Sequence, residues 1–299
     1  MIAIMKPVDR PNVSSRRDGG TRLLTSWRHR LMHRRPASQN TVLRWAAVAV
    51  VIAAWELVAR AVGSFYFPPP IVIAARTVSE WLPGPATSWR LPPALLDHFL
   101  PSLGRAMAGL GLALLGGVAI GTVIGLSRWL ADYLEPPIHF VRSIPPVALV
   151  PIFIIVIGLG SHMHIALIAF GCLWPILLNT IHGIRSVDRV LLETATTFGI
   201  HQGTKVWRVL LPAAAPSVMT GLRISLSLSL ILMVVAEMMT GSGGGIGVSI
   251  LIAQRGFNVV NMWTGLVVIG VLGYSLNLVL DRAEARLVGW HRKQMEVGA

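Results

Sequence analysis

Long apolar runs separated by short polar stretches organise this chain. The first run is Trp45 to Gly63, nineteen residues. At ~1.5 Å per residue it reaches roughly 28 Å, about one hydrocarbon core. It is too long for a signal-peptide core, contains Glu56 and Arg60, and has no small-residue cleavage site behind it. It therefore reads as an uncleaved transmembrane helix. Glu56 and Arg60 are spaced to pair on one helix face, and a snorkelling Arg60 is the alternative. Residues 64–99 hold seven prolines and are only moderately apolar, which predicts a loop with a short interfacial helix at Ile71–Trp81. Five further apolar segments follow, at about 101–126, 137–158, 163–184, 214–240 and 258–280. The pattern predicts an all-α polytopic membrane protein with about six transmembrane helices. It divides the chain into a tail, 1–40, and a membrane domain, 41–299.

Composition agrees. Hydrophobic residues make up 54% and charged residues 13%, with mean hydropathy +0.65. That excludes a disordered or collagen-like chain and weighs against a soluble enzyme. The single cysteine, Cys172, excludes a disulfide framework and a cysteine-cluster metal site. The net charge is +13, and residues 1–40 carry nine basic against two acidic side chains. In that tail Leu23, Trp27, Leu31 and Met32 have helical spacing. The tail is either a basic amphipathic helix on an anionic leaflet or a basic tail without structure. With six spans and an internal N-terminus, the inner segments hold 19 Lys and Arg and the outer loops three, leaving aside four within spans. The positive-inside rule then puts both termini in the cytoplasm, and the high charge needs no nucleic acid.

Within the spans, Gly117, Gly121 and Gly125 repeat every four residues and form a flat stripe for close helix packing, intrachain packing being the simpler reading. Pro136, Pro137, Pro145, Pro146 and Pro151 interrupt the third segment, and Pro175 the fourth. Broken helices in membranes either line a pathway or are plain kinks. Asn179 and Glu237 are polar residues within the spans. Glu237 is the one acid in segments three to six, either a gate or pathway residue or a structural hydrogen-bonding group. His162 and His164 lack a third ligand, so no metal site is expected. The run Gly241-Ser242-Gly243-Gly244-Gly245-Ile246-Gly247 lacks the Lys-Ser/Thr of a phosphate-binding loop and reads as a flexible outer loop. No nucleotide-hydrolysing motif and no G-x-S-x-G occurs, so no catalytic residue is expected on this chain.

The longest internal loop, about 185–213, reads as helix, glycine turn, helix. Leu191, Leu192, Ala195 and Phe198 form an apolar face, Gly199 suits a helix stop, and Val206–Leu211 forms a second helix ending at Pro212. Glu193-Thr194-Ala195, then Gly199, then nine residues to Val209, then Leu211-Pro212 closely resembles the EAA loop of ATP-binding-cassette importer permeases. Thr194 stands where that pattern has alanine and Val209 where it has isoleucine. Phe67-Pro68-Pro69-Pro70, Arg142 to Pro151, Pro175 to Thr180 and Val235 to Met238 resemble recurrent motifs of the nitrate/sulfonate/taurine branch.

The resemblance, covering about 41–285, implies a type I importer permease fold with its core at about 97–285. It implies ATPase coupling through Glu193, Thr194, Ala195, Gly199, Val209, Leu211 and Pro212. It also implies a pathway or gate near Pro145, Pro146, Asn179 and Glu237. The partners implied are two ATPase subunits carrying ATP and Mg, a second permease subunit completing a homodimer, a solute-binding protein and the inner membrane. The solute implied is a small anion such as nitrate, a sulfonate or taurine. An ion-coupled secondary transporter would show two similar halves and buried charges along a route, and neither pattern is visible.

Overall fold

A computed structural model describes residues 37–81 and 92–287. The tail to residue 36, with its Leu23–Met32 stretch, lies outside the described residues, as do Arg90, Arg292 and Lys293. The described residues fall into two compact units, divided between Leu57 and Val58. The first helix, α1, runs Ala37–Val62. Its described apolar side chains, among them Val50, Val51 and Leu57, are largely exposed, as befits a surface solvated by lipid.

The second unit takes in the end of α1 and then α2 (Pro70–Trp81), which matches the bounds of the expected short helix to within a residue. Next come α3 (Leu100–Leu126), α4 (Arg128–Arg142), α5 (Val150–Ile157) and α6 (Ser161–Arg185). The loop helices α7 (Arg189–Thr197) and α8 (Gln202–Lys205) follow, then α9 (Leu211–Thr240), α10 (Ile246–Arg255) and α11 (Val259–Leu287). Among the described residues five helices are long and apolar enough to cross a membrane. The sixth expected span is a bent pair: α4 and the Pro146–Ile157 segment meet at 76°. Pro145 is extended there (φ −60°, ψ 121°) and Pro146 begins a 3₁₀ turn. Neither proline can donate a helical hydrogen bond, so the chain turns where two are adjacent.

At the centre α3 packs along α6, and α6 along α9. A Cβ on Gly117 would stand 2.8 Å from Ile176 Cγ2, on Gly121 2.8 Å from Thr180 Cβ, and on Gly125 3.0 Å from Ile184 Cβ. The expected glycine stripe is thus the intrachain seat of α6, one glycine per helical turn. A Cβ on Gly221 of α9 would likewise stand 2.8 Å from the Pro175 carbonyl oxygen of α6. Where Pro175 disturbs α6, the Ser225 hydroxyl donates to the Cys172 carbonyl (2.8 Å) and Cys172 Sγ donates to the Ser225 carbonyl (3.3 Å). At one end of this three-helix centre, the loop end, lie Leu126, Arg185 and Leu211. At the other, the glycine end, lie Leu100, Ser161 and Thr240.

Two departures from the expected elements share one cause. Pro212 does not end a helix: the chain is helical from Gln202 to Thr240, with a π turn at Val206–Leu210 just before the proline. A matching π turn at Leu95–Phe99 precedes Pro101. The wider turn shifts the hydrogen-bond register, so the helix passes the position with no N–H.

Replacing Gly121 by leucine should destabilise the fold by about 1–3 kcal/mol, because Leu177's backbone oxygen and Thr180 Cβ leave no room. Gly104→Ala meets open space and should be neutral or raise stability by about 0.4–1 kcal/mol. Thermal midpoints in detergent read both. Equal behaviour of the two variants would contradict the packing.

Candidate functional site

Two sites emerge, one at each end. At the loop end, α7 begins at Asp188, whose carboxylate accepts from the Val190 N–H (2.9 Å). Its side chain caps an otherwise unpaired donor. The helix stops through a paired motif: the Ile200 N–H donates to the Ala195 carbonyl (3.1 Å) and the Gly199 N–H to the Thr196 carbonyl (2.9 Å). That geometry needs a left-handed residue, and Gly199 supplies it at φ +69°. Lys205 Nζ donates to Thr196 Oγ1 (2.8 Å), tying α8 back to α7.

Ala195 is buried, and Leu192, Val187 and Val206 pack against Ile184, Leu210 and Ala214. The loop is therefore seated on the ends of α6 and α9. Leu211 joins the same cluster, Val209 is half-buried, and Pro212 stands exposed in the first turn of α9. The expected apolar face splits in two. Leu192 and Ala195 face inward, whereas Leu191 is exposed and Phe198 is 80% exposed. Glu193 and Thr194 are exposed, and among the described residues Glu193 has no ion-pair partner. The result is a short helix held rigidly on one side and presenting a carboxylate and a bare aromatic ring on the other. Beside it Arg185 pairs with Glu135 (2.9 Å), which fastens α4 to α6.

At the glycine end, Glu237 is completely buried and Arg105 is 5% exposed. Arg105 Nη1 donates to Glu237 Oε1 (2.8 Å) and to the Gly244 carbonyl (2.8 Å), Nη2 donates to the Gly243 carbonyl, and Nε donates to Ser161 Oγ (3.1 Å). Ser102 Oγ lies 2.8 Å from both Glu237 oxygens and accepts from the Ile246 N–H (2.8 Å). The Gly247 N–H donates to Glu237 Oε2 (2.9 Å). One buried pair thus joins α3, α6, α9 and the start of α10. The glycine run, expected as a flexible loop, is instead bound through its carbonyls and amides. A Cβ at Gly245 (φ +127°) would collide with the Glu237 carboxyl, so bare backbone is required there.

Sequence reasoning identified Glu237 but missed its partner. The available signal was Arg105 itself, a cation inside an apolar segment that requires a counter-charge. Helix α10 was also missed, because the glycines before it masked a ten-residue apolar helix. The structure does not gather the other expected pathway residues at one place. Asn179 Nδ2 donates to the Pro175 carbonyl (2.8 Å) beside Gly221, at the α6–α9 contact. Pro146 packs on Gly171, and Pro145 is exposed at the bend. His164 pairs with Thr240 (3.0 Å) while His162 is exposed. Among the described residues no three His, Cys, Asp or Glu side chains converge.

This architecture of packed apolar helices with a short helix seated outside them is that of a polytopic membrane protein. Residues 113–292 match the family model of binding-protein-dependent transport system inner membrane components, and the chain belongs to that family. It is a multi-pass permease subunit of an ATP-binding-cassette importer. It is 30% identical to the taurine transport system permease of Escherichia coli over 88% of this chain and 94% of that one. A Bacillus subtilis chain named for aliphatic sulfonates transport is 32% identical, over 81% and 85%. The bicarbonate transport system permease of Synechococcus elongatus is 30% identical, over 69% and 72%. The fold is shared with the inward-facing MetNI methionine transporter, at TM-score 0.56 and 21% identity, covering 64% of this chain and 95% of that one.

Arg105→Met should lower stability by about 3–5 kcal/mol, since it leaves Glu237 charged and buried without a cation. Glu237→Gln should do the same to Arg105. The double variant should cost less than the sum of the two, because it leaves neither charge uncompensated. Simple additivity of the melting shifts would refute the pairing.

Proposed function

We propose that the loop end faces the cytoplasm, with both chain termini, and that α7 docks there in a cleft of an ATPase subunit. The observation that carries this reading is the two-sided loop. Its inner side is locked onto α6 and α9, and its outer side offers Glu193 and Phe198 unpartnered. An aromatic ring left 80% exposed at the C-cap of a helix seated on its own fold has the character of an anchor for a partner's groove. The balance of 19 inner against three outer basic residues supports the orientation.

The working unit is two permease chains, as a homodimer, above two ATPase subunits. ATP and Mg bind on the ATPases, and this chain performs no hydrolysis of its own. A solute-binding protein delivers the cargo to the opposite face. Closure of the ATPases draws the two α7 elements together, and seating against Ile184, Leu210 and Ala214 passes that displacement to α6 and α9. ATP and loaded binding protein shift the equilibrium because each favours one arrangement over the other. The cargo is a small oxyanion, sulfonates foremost. The names of the taurine and aliphatic-sulfonate relatives, matched over more than four-fifths of this chain, support that class.

Phe198→Asp should reduce both ATPase co-purification and ATP-dependent sulfonate uptake by about tenfold or more. It should leave insertion and thermal midpoint unchanged, because the side chain contacts little of its own chain. Gly199→Pro should uncouple as well, since proline fixes φ near −65° and removes the N–H that Thr196 accepts. Wild-type uptake by both variants would exclude α7 as the coupling element.

A further inference from the structure

A cavity of about 650 Å³ opens at the loop end, between the last turns of α3 and α6, the start of α4 and the loop helices α7 and α8. Four cations line it, Arg128, Arg185, Arg189 and Lys205, against one acid, Asp132. Arg185 is already answered, since it lies 2.9 Å from Glu135 and 3.7 Å from Asp132. Among the described residues, Arg128, Arg189 and Lys205 have no carboxylate within ion-pair distance. Lys205 gives one N–H to Thr196 (2.8 Å) and keeps two more. Arg128 and Arg189 are also the first residues of α4 and α7, whose first turns hold no acid. Asp188, which caps α7, does not line the cavity. A cation in a first turn faces the positive end of the helix dipole, so an anion between the two arginines relieves both repulsions.

The surroundings give the level of the site. Gly125 and Leu126 end one apolar span and Ile184 and Arg185 end another, so the cavity lies where hydrocarbon gives way to headgroups. Trp129 and Tyr133 stand exposed on the adjacent face of α4, ring centroids 4.8 Å apart, and such rings collect at that level. A groove of about 330 Å³, lined only by apolar side chains, lies between α3 and α4. Val123 of this groove and Leu126 of the cavity are exposed one turn apart on α3. A basic recess thus adjoins an apolar slot. Leu192 places the cavity on the seated side of α7, away from Glu193 and Phe198, so a partner docked on the outer side does not fill it.

We propose that this cavity binds the phosphate of an anionic phospholipid, with an acyl chain in the apolar groove. Arg128, Arg189 and Lys205 donate to the headgroup oxygens, in the manner of basic pockets between membrane helices. A zwitterionic lipid brings an ammonium as well, and the one acid on the wall, Asp132, is already turned to Arg185. A lipid of net negative charge is therefore preferred. A free phosphate ester would answer the cations but leave the groove unfilled. The bound headgroup ties the start of α4 to α7 and α8, and so braces the loop from its membrane side.

The test uses the full chain in nanodiscs of phosphatidylcholine holding a minor share of phosphatidylglycerol. Native mass spectrometry should find phosphatidylglycerol retained about tenfold or more above its share in the disc. Arg128→Gln with Arg189→Gln should abolish that enrichment, and Arg128→Lys with Arg189→Lys should keep most of it, since only the first pair removes charge. Arg282→Gln with Arg286→Gln, near the end of α11 and outside the cavity, should leave it as it is. Phosphatidylglycerol should also raise the thermal midpoint of the wild type and not that of the Arg128→Gln, Arg189→Gln variant. Absence of enrichment, or its survival in that variant, would overturn the proposal. Equal loss in both glutamine pairs would reduce it to diffuse surface charge. A midpoint raised by soluble glycerol 3-phosphate, with no lipid retained, would give the cavity to a free phosphate ester instead.

Discussion

Lipid tails are as apolar as leucine, so helices in a bilayer gain little by hiding apolar side chains from their surroundings. They hold together where backbones come close enough for dense dispersion contact. In this chain that approach is concentrated on α6. From one side the glycines of α3 admit Ile176, Thr180 and Ile184 at successive turns. From the other, Gly221 of α9 lies against the Pro175 carbonyl, and Gly183 of α6 receives Ser217 and Ala214. Every functional feature at either end is mounted on one of these three helices. A side chain inserted at any of these glycines would move both ends at once.

The two ends meet opposite electrostatic demands. At the glycine end, a fully buried carboxylate and guanidinium are stable only because each is also bonded to backbone and hydroxyl groups. Desolvating two ions otherwise costs more than their attraction returns. The carbonyls of Gly243 and Gly244 and the amide of Gly247 complete that shell. This explains why a glycine-rich segment is ordered rather than loose: side chains would keep the backbone from reaching the ions. At the loop end nothing comparable is buried. Glu193 and Phe198 remain exposed, and rigidity comes from the glycine-terminated stop of α7 and the apolar seat beneath it.

Much of this was legible in the sequence, and what failed did so for identifiable reasons. The long spans, the short helix expected at Ile71–Trp81, the glycine stripe and the glycine turn at Gly199 all follow from apolar periodicity and backbone rules that act within a few residues. The partner of Glu237 lies 132 positions away, and local periodicity carries no information about such pairing. The glycine run was misread because the same residues serve a flexible loop and a tight cradle for buried ions. Phe198, expected on the apolar face of the helix, instead caps the end of α7 and stands exposed just beyond it. Helical spacing alone does not separate a residue that packs inward from one a turn later that has passed the edge of the seat.

The proline error bears most directly on mechanism. If Pro212 ended a helix, the loop carrying α7 would hang from α9 by a hinge, and any displacement of α7 would be absorbed there. The π turn at Val206–Leu210 instead lets one helix run unbroken from Gln202 to Thr240. Its far end carries Glu237, hence the glycine end, and its near end carries Lys205, bonded to α7. Helices bend far less readily than loops, so under the proposed coupling a push on α7 would tilt α9 as a lever, and α6 would move with it through the glycine contacts. The one local weakness is the π turn itself, whose wider hydrogen-bond register is less regular than the helix around it. A register change there would alter the angle between loop and lever while leaving both intact.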